Sequence, residues 1–316
     1  MFKRIVVTIG ALCLCIGAAR ADEYGTSNAS RAEMSPQQAQ TLSRLEARAA
    51  VLRRAWLASG HKAPAAGPAV ISGILLTPNL DVDKAPAAPD ISVNFQAAAG
   101  LSFISACFTS NTTTQTSCTV YEVPFGLSGP TGGKLRIRQP AGGGGSLNLY
   151  AAPGAWSLTD LFLADMSGAV VNYNQSQIPT LFPGGSTINV TNIRTPDTSP
   201  PVITAGKVLT PVVSLSSANP GFGVQLTVSD NLSGVGQLCI EVSDPNGGGY
   251  LCDATLPPSP RSGKVETAVY IGNSVPTGTW KISYYSVCDV AGNCISDNNP
   301  ADIQSLFGTT TFTVTN

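Results

Sequence analysis

Apolar residues recur at spacings of three and four in one early stretch, and at alternate positions through most of the remaining chain. Leu42, Leu45, Ala49, Leu52 and Trp56 fall on one face of a helix. Ser35 is placed to cap it, Pro36 takes the first helical position, Gln38 sits three residues after the cap, and Gly60 ends it. The pattern therefore predicts an amphipathic helix over 35–59, with Arg44, Arg48, Arg53 and Arg54 opposite the apolar stripe. Beyond the Pro/Ala-rich run 63–68 the period changes to two. Strands are expected at 91–95, 119–123, 134–138 and from Trp156, then at 224–228, 238–242, 265–271 and 280–287, separated by breakers such as 140–145.

The strand pattern is used twice. Val70-Ile71-Ser72-Gly73-Ile74-Leu75-Leu76-Thr77-Pro78 is echoed by Val202-Ile203-Thr204-Ala205-Gly206-Lys207-Val208-Leu209-Thr210-Pro211, with one residue inserted. Gly154-Ala155-Trp156 matches Gly278-Thr279-Trp280, and Asp165 to Gly168 matches Asp289 to Gly292. Leu181-Phe182 and the strand 187–192 match Leu306-Phe307 and 311–316. A repeat of this length is a whole domain, not a solenoid unit. Each copy has room for seven to nine short strands, which fits a two-sheet sandwich. The expected organisation is a signal peptide at 1–21; a polar start, helix and linker at 22–68; one sandwich at 69–195; and a second at 196–316. Thr195 to Pro201 is read as the link.

The second copy resembles the bacterial immunoglobulin-like repeats of secreted and surface proteins. Asp230-Asn231-Leu232-Ser233-Gly234-Val235, Gly278-Thr279-Trp280 and Asp289-Val290-Ala291-Gly292-Asn293 carry the resemblance. It implies a mainly β fold of two tandem immunoglobulin-like antiparallel sandwiches. Such repeats serve as adhesins, spacers and accessory modules of extracellular hydrolases. The first copy departs from the pattern, with Ala97-Ala98-Ala99-Gly100 at the early site and Ala169 in place of Asn293.

Lys3 and Arg4, the apolar run to Ala18 and the small-x-small site Ala19-Arg20-Ala21 read as a secretory signal, so a secreted, periplasmic or cell-surface location is expected. No later stretch is long and apolar enough to span a bilayer as a helix. After cleavage Cys107, Cys118, Cys239, Cys252, Cys288 and Cys294 remain, an even number suited to an oxidising compartment. The repeat narrows the fifteen pairings. Cys288 and Cys294 are jointly absent from the first copy, at Ala164 and Val170, and the other two pairs occupy the same part of their domains by distance along the chain. Local bridges 107–118, 239–252 and 288–294 are expected.

From residue 63 onward 9 Lys/Arg face 15 Asp/Glu, a balance of −6 that disfavours nucleic acid. His61 is the single histidine, which leaves no Ser-His-Asp triad and no zinc set. No catalytic residue or organic cofactor is expected. Asp230, Asn231, Asp289 and Asn293, with Asp297 nearby, could offer oxygen ligands to calcium if their loops meet at one end of the sandwich. The competing reading is that the same residues only close turns. Trp156 and Trp280 open matching strands and are expected in the cores rather than as sugar platforms. The role expected is a non-enzymatic binding, adhesion or spacer protein with a protein or polysaccharide partner; the alternative is a polysaccharide-binding module of an extracellular hydrolase system.

Overall fold

The computed structural model describes residues 67–123, 127, 129–138, 146–247, 249–255, 261–271 and 275–316, together with 17–18, 49 and 60. The first unit contains β1 (Ala69–Leu75), β2 (Asn79–Asp81), β3 (Asp90–Gln96), β4 (Leu101–Ser110), β5 (Thr116–Glu122), β6 (Gly132–Arg138), β7 (Gly154–Asp165), β8 (Val170–Asn174), α1 (Ile178–Leu181) and β9 (Thr187–Thr191). The second repeats them as β10 (Val202–Val208), β11 (Val212–Ser214), β12 (Gly221–Ser229), β13 (Val235–Ser243), β14 (Gly249–Thr255), β15 (Ser262–Tyr270), β16 (Gly278–Asp289), β17 (Cys294–Asp297), α2 (Pro300–Phe307) and β18 (Thr311–Thr315).

Each unit is a sandwich of a larger and a three-stranded sheet. The order is β2-β9-β7-β4-β5 facing β1-β3-β6 in the first unit, and β11-β18-β16-β13-β14 facing β10-β12-β15 in the second. β8 and β17 pair with β7 and β16. The ladders are antiparallel except for β2/β9 and β11/β18, which run parallel. A two-residue strand, Gly17–Ala18, lies antiparallel beside β14. Two tandem, mainly β sandwiches are therefore what the alternating pattern builds. Among the described residues no helix is long and apolar enough to cross a membrane.

The cores are separate. One gathers Val93, Phe95, Ile104, Phe108 and Trp156, the other Phe222, Val224, Ile240, Trp280 and Phe312, with no member in common. Both tryptophans are fully buried, and each indole Nε1 donates to a carbonyl four residues earlier, Ala152 or Pro276, at 2.9 Å. The tryptophans are core anchors, as their matched positions suggest.

Strand register refines the repeat. In β1 the ladder slips between Val70 and Ser72, and in β10 between Ile203 and Ala205. Aligning these bulges matches Val70–Pro78 to Ile203–Pro211 with no insertion, and puts Gly73 on Gly206. Register also corrects one cysteine pairing. Cys107 opposes Cys118 and Cys288 opposes Cys294, and both pairs are bridged. In β13/β14, however, Cys239 faces Asp253 and Cys252 faces Ile240. The pair is one residue out of step, so this register does not provide the expected 239–252 bridge. The Cys252 side chain lies outside the described residues. Non-reducing peptide mapping should recover 107–118 and 288–294; a 239–252 link would mean that the β13/β14 register is wrong by one residue.

The expected helix 35–59 lies outside the described residues apart from Ala49. That residue is buried in a satellite cluster with Phe103, Cys107, Cys118, Phe162 and Ala164. Where the first unit has Phe103, Cys107 and Phe162, ladder register gives the second Gln237, Glu241 and Ser286. Three of the residues packed around Ala49 are thus replaced by polar ones at the matching places in the second sandwich.

Candidate metal centre at the joint between the sandwiches

Asp197 lies in the stretch read as a linker, yet it is 1% exposed. Its backbone is held from both sides. The first sandwich receives its N–H on the Tyr150 carbonyl at 3.1 Å, and Gln115 Nε2 donates to its carbonyl. Asn293 of the second sandwich donates to that same carbonyl through Nδ2 at 2.8 Å. Gln115 is itself fully buried, with Oε1 accepting from the Ala152 N–H and Nε2 reaching the Tyr150 carbonyl. A further bond crosses the joint from Asn148 Nδ2 to the Val290 carbonyl. The Pro-flanked segment is therefore pinned at Asp197, whose backbone N–H and carbonyl are satisfied by loops of both units, while Thr198, Ser199 and Pro200 stay exposed.

Two turns of the second sandwich meet over Asp197. The first follows β12: Asp230 Oδ1 accepts from the N–H groups of Leu232 and Gly234. Gly234 has φ 84°, a conformation glycine adopts without cost. The second turn joins β16 to β17: Asp289 Oδ1 accepts from the Asn293 N–H at 2.8 Å, and Asp289 Oδ2 from Asn293 Nδ2 at 2.7 Å. The Val290 N–H bonds the Gly234 carbonyl and ties the turns together. Asp197 Oδ2 accepts from the Ser233 N–H at 2.7 Å.

This arrangement brings one carboxylate oxygen from each of Asp197, Asp230 and Asp289 within 4.8 Å of one another. The Arg136–Asp90 ion pair lies on the first sandwich, away from this cluster. The Asp289 carboxyl is pushed up to about 7, chiefly by burial and with Asp197 and Asp230 adding to the rise, against the lowering effect of the Asn293 bonds. Two oxygens here are buried without a hydrogen-bond partner, Asp230 Oδ2 and Asn293 Oδ1.

Of the residues the sequence suggests, Asp230 and Asp289 converge and Asn293 lies between Asp289 and Asp197. Asn231 is solvent-exposed. Asp297 accepts from the Asn299 N–H ahead of α2 and belongs to another turn. Asp197 is absent from the sequence-based set, because a run with three prolines reads as a spacer. A signal is present all the same: the corresponding stretch 63–66 of the first copy is Ala-Pro-Ala-Ala, without a carboxylate.

The first sandwich acts as an internal control. Asp165 keeps the turn, with Oδ1 accepting from Ser167 N–H, Ser167 Oγ and Ala169 N–H. Burial raises its carboxyl too. Its Oδ2 is also without a partner, but alanines stand at the places of Asp230 and Asn293. The shared aspartate closes a turn in both copies, while the other acids are special to the second.

No family model matches the chain, and no curated protein matches it. Among solved structures it is similar to a DUF4785 family protein from Legionella pneumophila, at 10% identity and a TM-score of 0.23, covering 73% of this chain and 55% of that one. It is also similar to red sea bream transglutaminase, at 11% identity and a TM-score of 0.18, covering 84% of this chain and 33% of that one. A third is the calcium-binding domain CBD12 of CALX1.1, at 10% identity and a TM-score of 0.17, covering 78% and 100%. The chain thus spans about half of the Legionella protein and a third of the transglutaminase, and at these scores none of the three bears on function.

Proposed function

We propose that this chain is an exported, non-enzymatic spacer or binding protein of a bacterial surface or the extracellular medium, whose two sandwiches are held in one fixed relation. The observation behind this reading is Asp197, a linker residue buried and hydrogen-bonded to both units. A flexible tether would leave its backbone in water. The export-type leader and the two bridged cysteine pairs support passage into an oxidising compartment. Burial of Trp156 and Trp280 removes the two sugar platforms that the matched strands would offer the polysaccharide alternative, and Tyr270 is the exposed aromatic among the described residues.

Small-angle X-ray scattering on the mature chain tests the spacer reading. A single arrangement of the two sandwiches should fit the profile. The Gln115→Ala variant, which withdraws the bonds to the carbonyls of Asp197 and Tyr150, should need a spread of arrangements. A wild-type profile that itself requires a broad spread would reject the fixed joint.

A further inference from the structure

We propose that the joint is a Ca²⁺ site, with carboxylates from Asp197, Asp230 and Asp289 and the amide oxygen of Asn293 as ligands, and that the ion fastens the second sandwich to the linker. The inference rests on the fixed-joint reading and adds what fixes it.

Geometry comes first. Three oxygens no more than 4.8 Å apart lie within about 2.8 Å of a common centre, close to the ~2.3–2.6 Å of calcium–oxygen bonds. Mg²⁺ demands about 2.0–2.1 Å and a near-ideal octahedron, which ligands already tied by turn bonds at Asp230 Oδ1 and both oxygens of Asp289 are less free to supply.

The second observation is independent of the acids. Asn293 is 1% exposed, and its Nδ2 is committed to Asp289 Oδ2 and the Asp197 carbonyl. The amide cannot be turned over without losing both bonds, so Oδ1 is the atom left without a partner. Asp230 Oδ2 is buried and without a partner as well. A buried acceptor with no donor is costly, and a cation satisfies such oxygens where another carboxylate cannot.

Charge points the same way. Asp165 in the first sandwich stands without a second acid beside it and accepts three turn bonds on Oδ1. Three carboxylates with oxygens within 4.8 Å of one another repel, and a divalent cation relieves that repulsion. The first copy has alanine where the second has Asp230 and Asn293, and no acid at its counterpart of Asp197. The full ligand set is therefore present once, at the joint, and absent from the control turn.

The test uses the mature full-length chain, stripped with chelator and titrated with CaCl₂ or MgCl₂ by calorimetry, with melting followed in parallel. One Ca²⁺ per chain should bind, and at a hundredfold excess over its Kd the melting temperature of the second sandwich should rise by on the order of 10 °C. Asp230→Asn and Asp197→Asn should each weaken binding more than tenfold. In chelator both should melt no lower than the wild type, because each removes a repelling charge; this separates lost ligation from lost folding. Asn231→Ala should leave binding unchanged. Absence of binding, or an equal response to Mg²⁺, would overturn the calcium site and leave the spacer reading intact. Calcium binding with a scattering profile that stays broad with and without the ion would instead defeat the fixed joint.

Discussion

Trp280→Ala should cost the second sandwich about 3–5 kcal/mol, the range for removing a large aromatic from a packed core. The indole is fully buried, and its ring centroid lies 5.9 Å from that of Phe312, which stacks on Phe222 at 4.0 Å. Removal opens a cavity lined by both sheets and leaves the Pro276 carbonyl without its donor. For a unit of this size the loss corresponds to a fall on the order of 10–20 °C in its melting temperature. The first sandwich should keep its own transition, because the two cores share no residue. Differential scanning calorimetry of the full chain would show this as one transition moving and one standing still. A parallel fall in both would mean that the joint couples the units more strongly than the cores suggest. An unchanged profile would contradict burial of Trp280.

The matched tryptophans illustrate what can be read from the chain alone. A residue that opens an alternating strand in both copies, followed by apolar positions two apart, is specified by local pattern, and the sandwich follows from many such strands. Pairing between strands is less legible. Cys239 and Cys252 match Cys107 and Cys118 by distance along the chain, but the ladder puts Cys239 at the counterpart of Ser105. A shift of two residues along a strand keeps the same face, so the hydrophobic pattern gives no warning of it.

The joint is half legible for a similar reason. Asp230 and Asp289 each sit in a turn with a glycine at positive φ, and such turns declare themselves through Asp, Asn and Gly. That the two turns meet depends on β13 and β16 being neighbours, which is a property of the assembled sheet. Asp197 is hidden more deeply. Proline marks a segment as non-helical and poor in donors, but burial is decided by what packs on it, here Gln115 from one side and Asn293 from the other. Comparison of the two copies is the remaining guide, since the first lacks the acid together with counterparts of Asp230 and Asn293.

The same comparison isolates a steric contact that the repeat preserves. Gly73 lies under the ring of Phe182, and Gly206 under that of Phe307. In each unit the Phe follows or ends the short helix and covers the first strand of the three-stranded sheet. A Cβ on Gly206 would come 2.6 Å from Phe307 Cδ1, inside any van der Waals contact. The ring has little room to retreat, because Phe307 is buried and Tyr285 meets it edge-on at 6.3 Å. Gly206→Val should therefore destabilise the second sandwich by about 1–3 kcal/mol through overpacking, despite the valine suiting a strand by propensity. The origin of the effect is checked by a double-mutant cycle in denaturant titration. If the clash with the ring is the cause, Gly206→Val introduced into Phe307→Ala should cost much less than in the wild type, with a coupling of at least about 0.5 kcal/mol between the sites. Additive costs would place the strain elsewhere, in the bulge between Ile203 and Ala205, and the glycine would then serve the backbone of β10 rather than the seat of the ring.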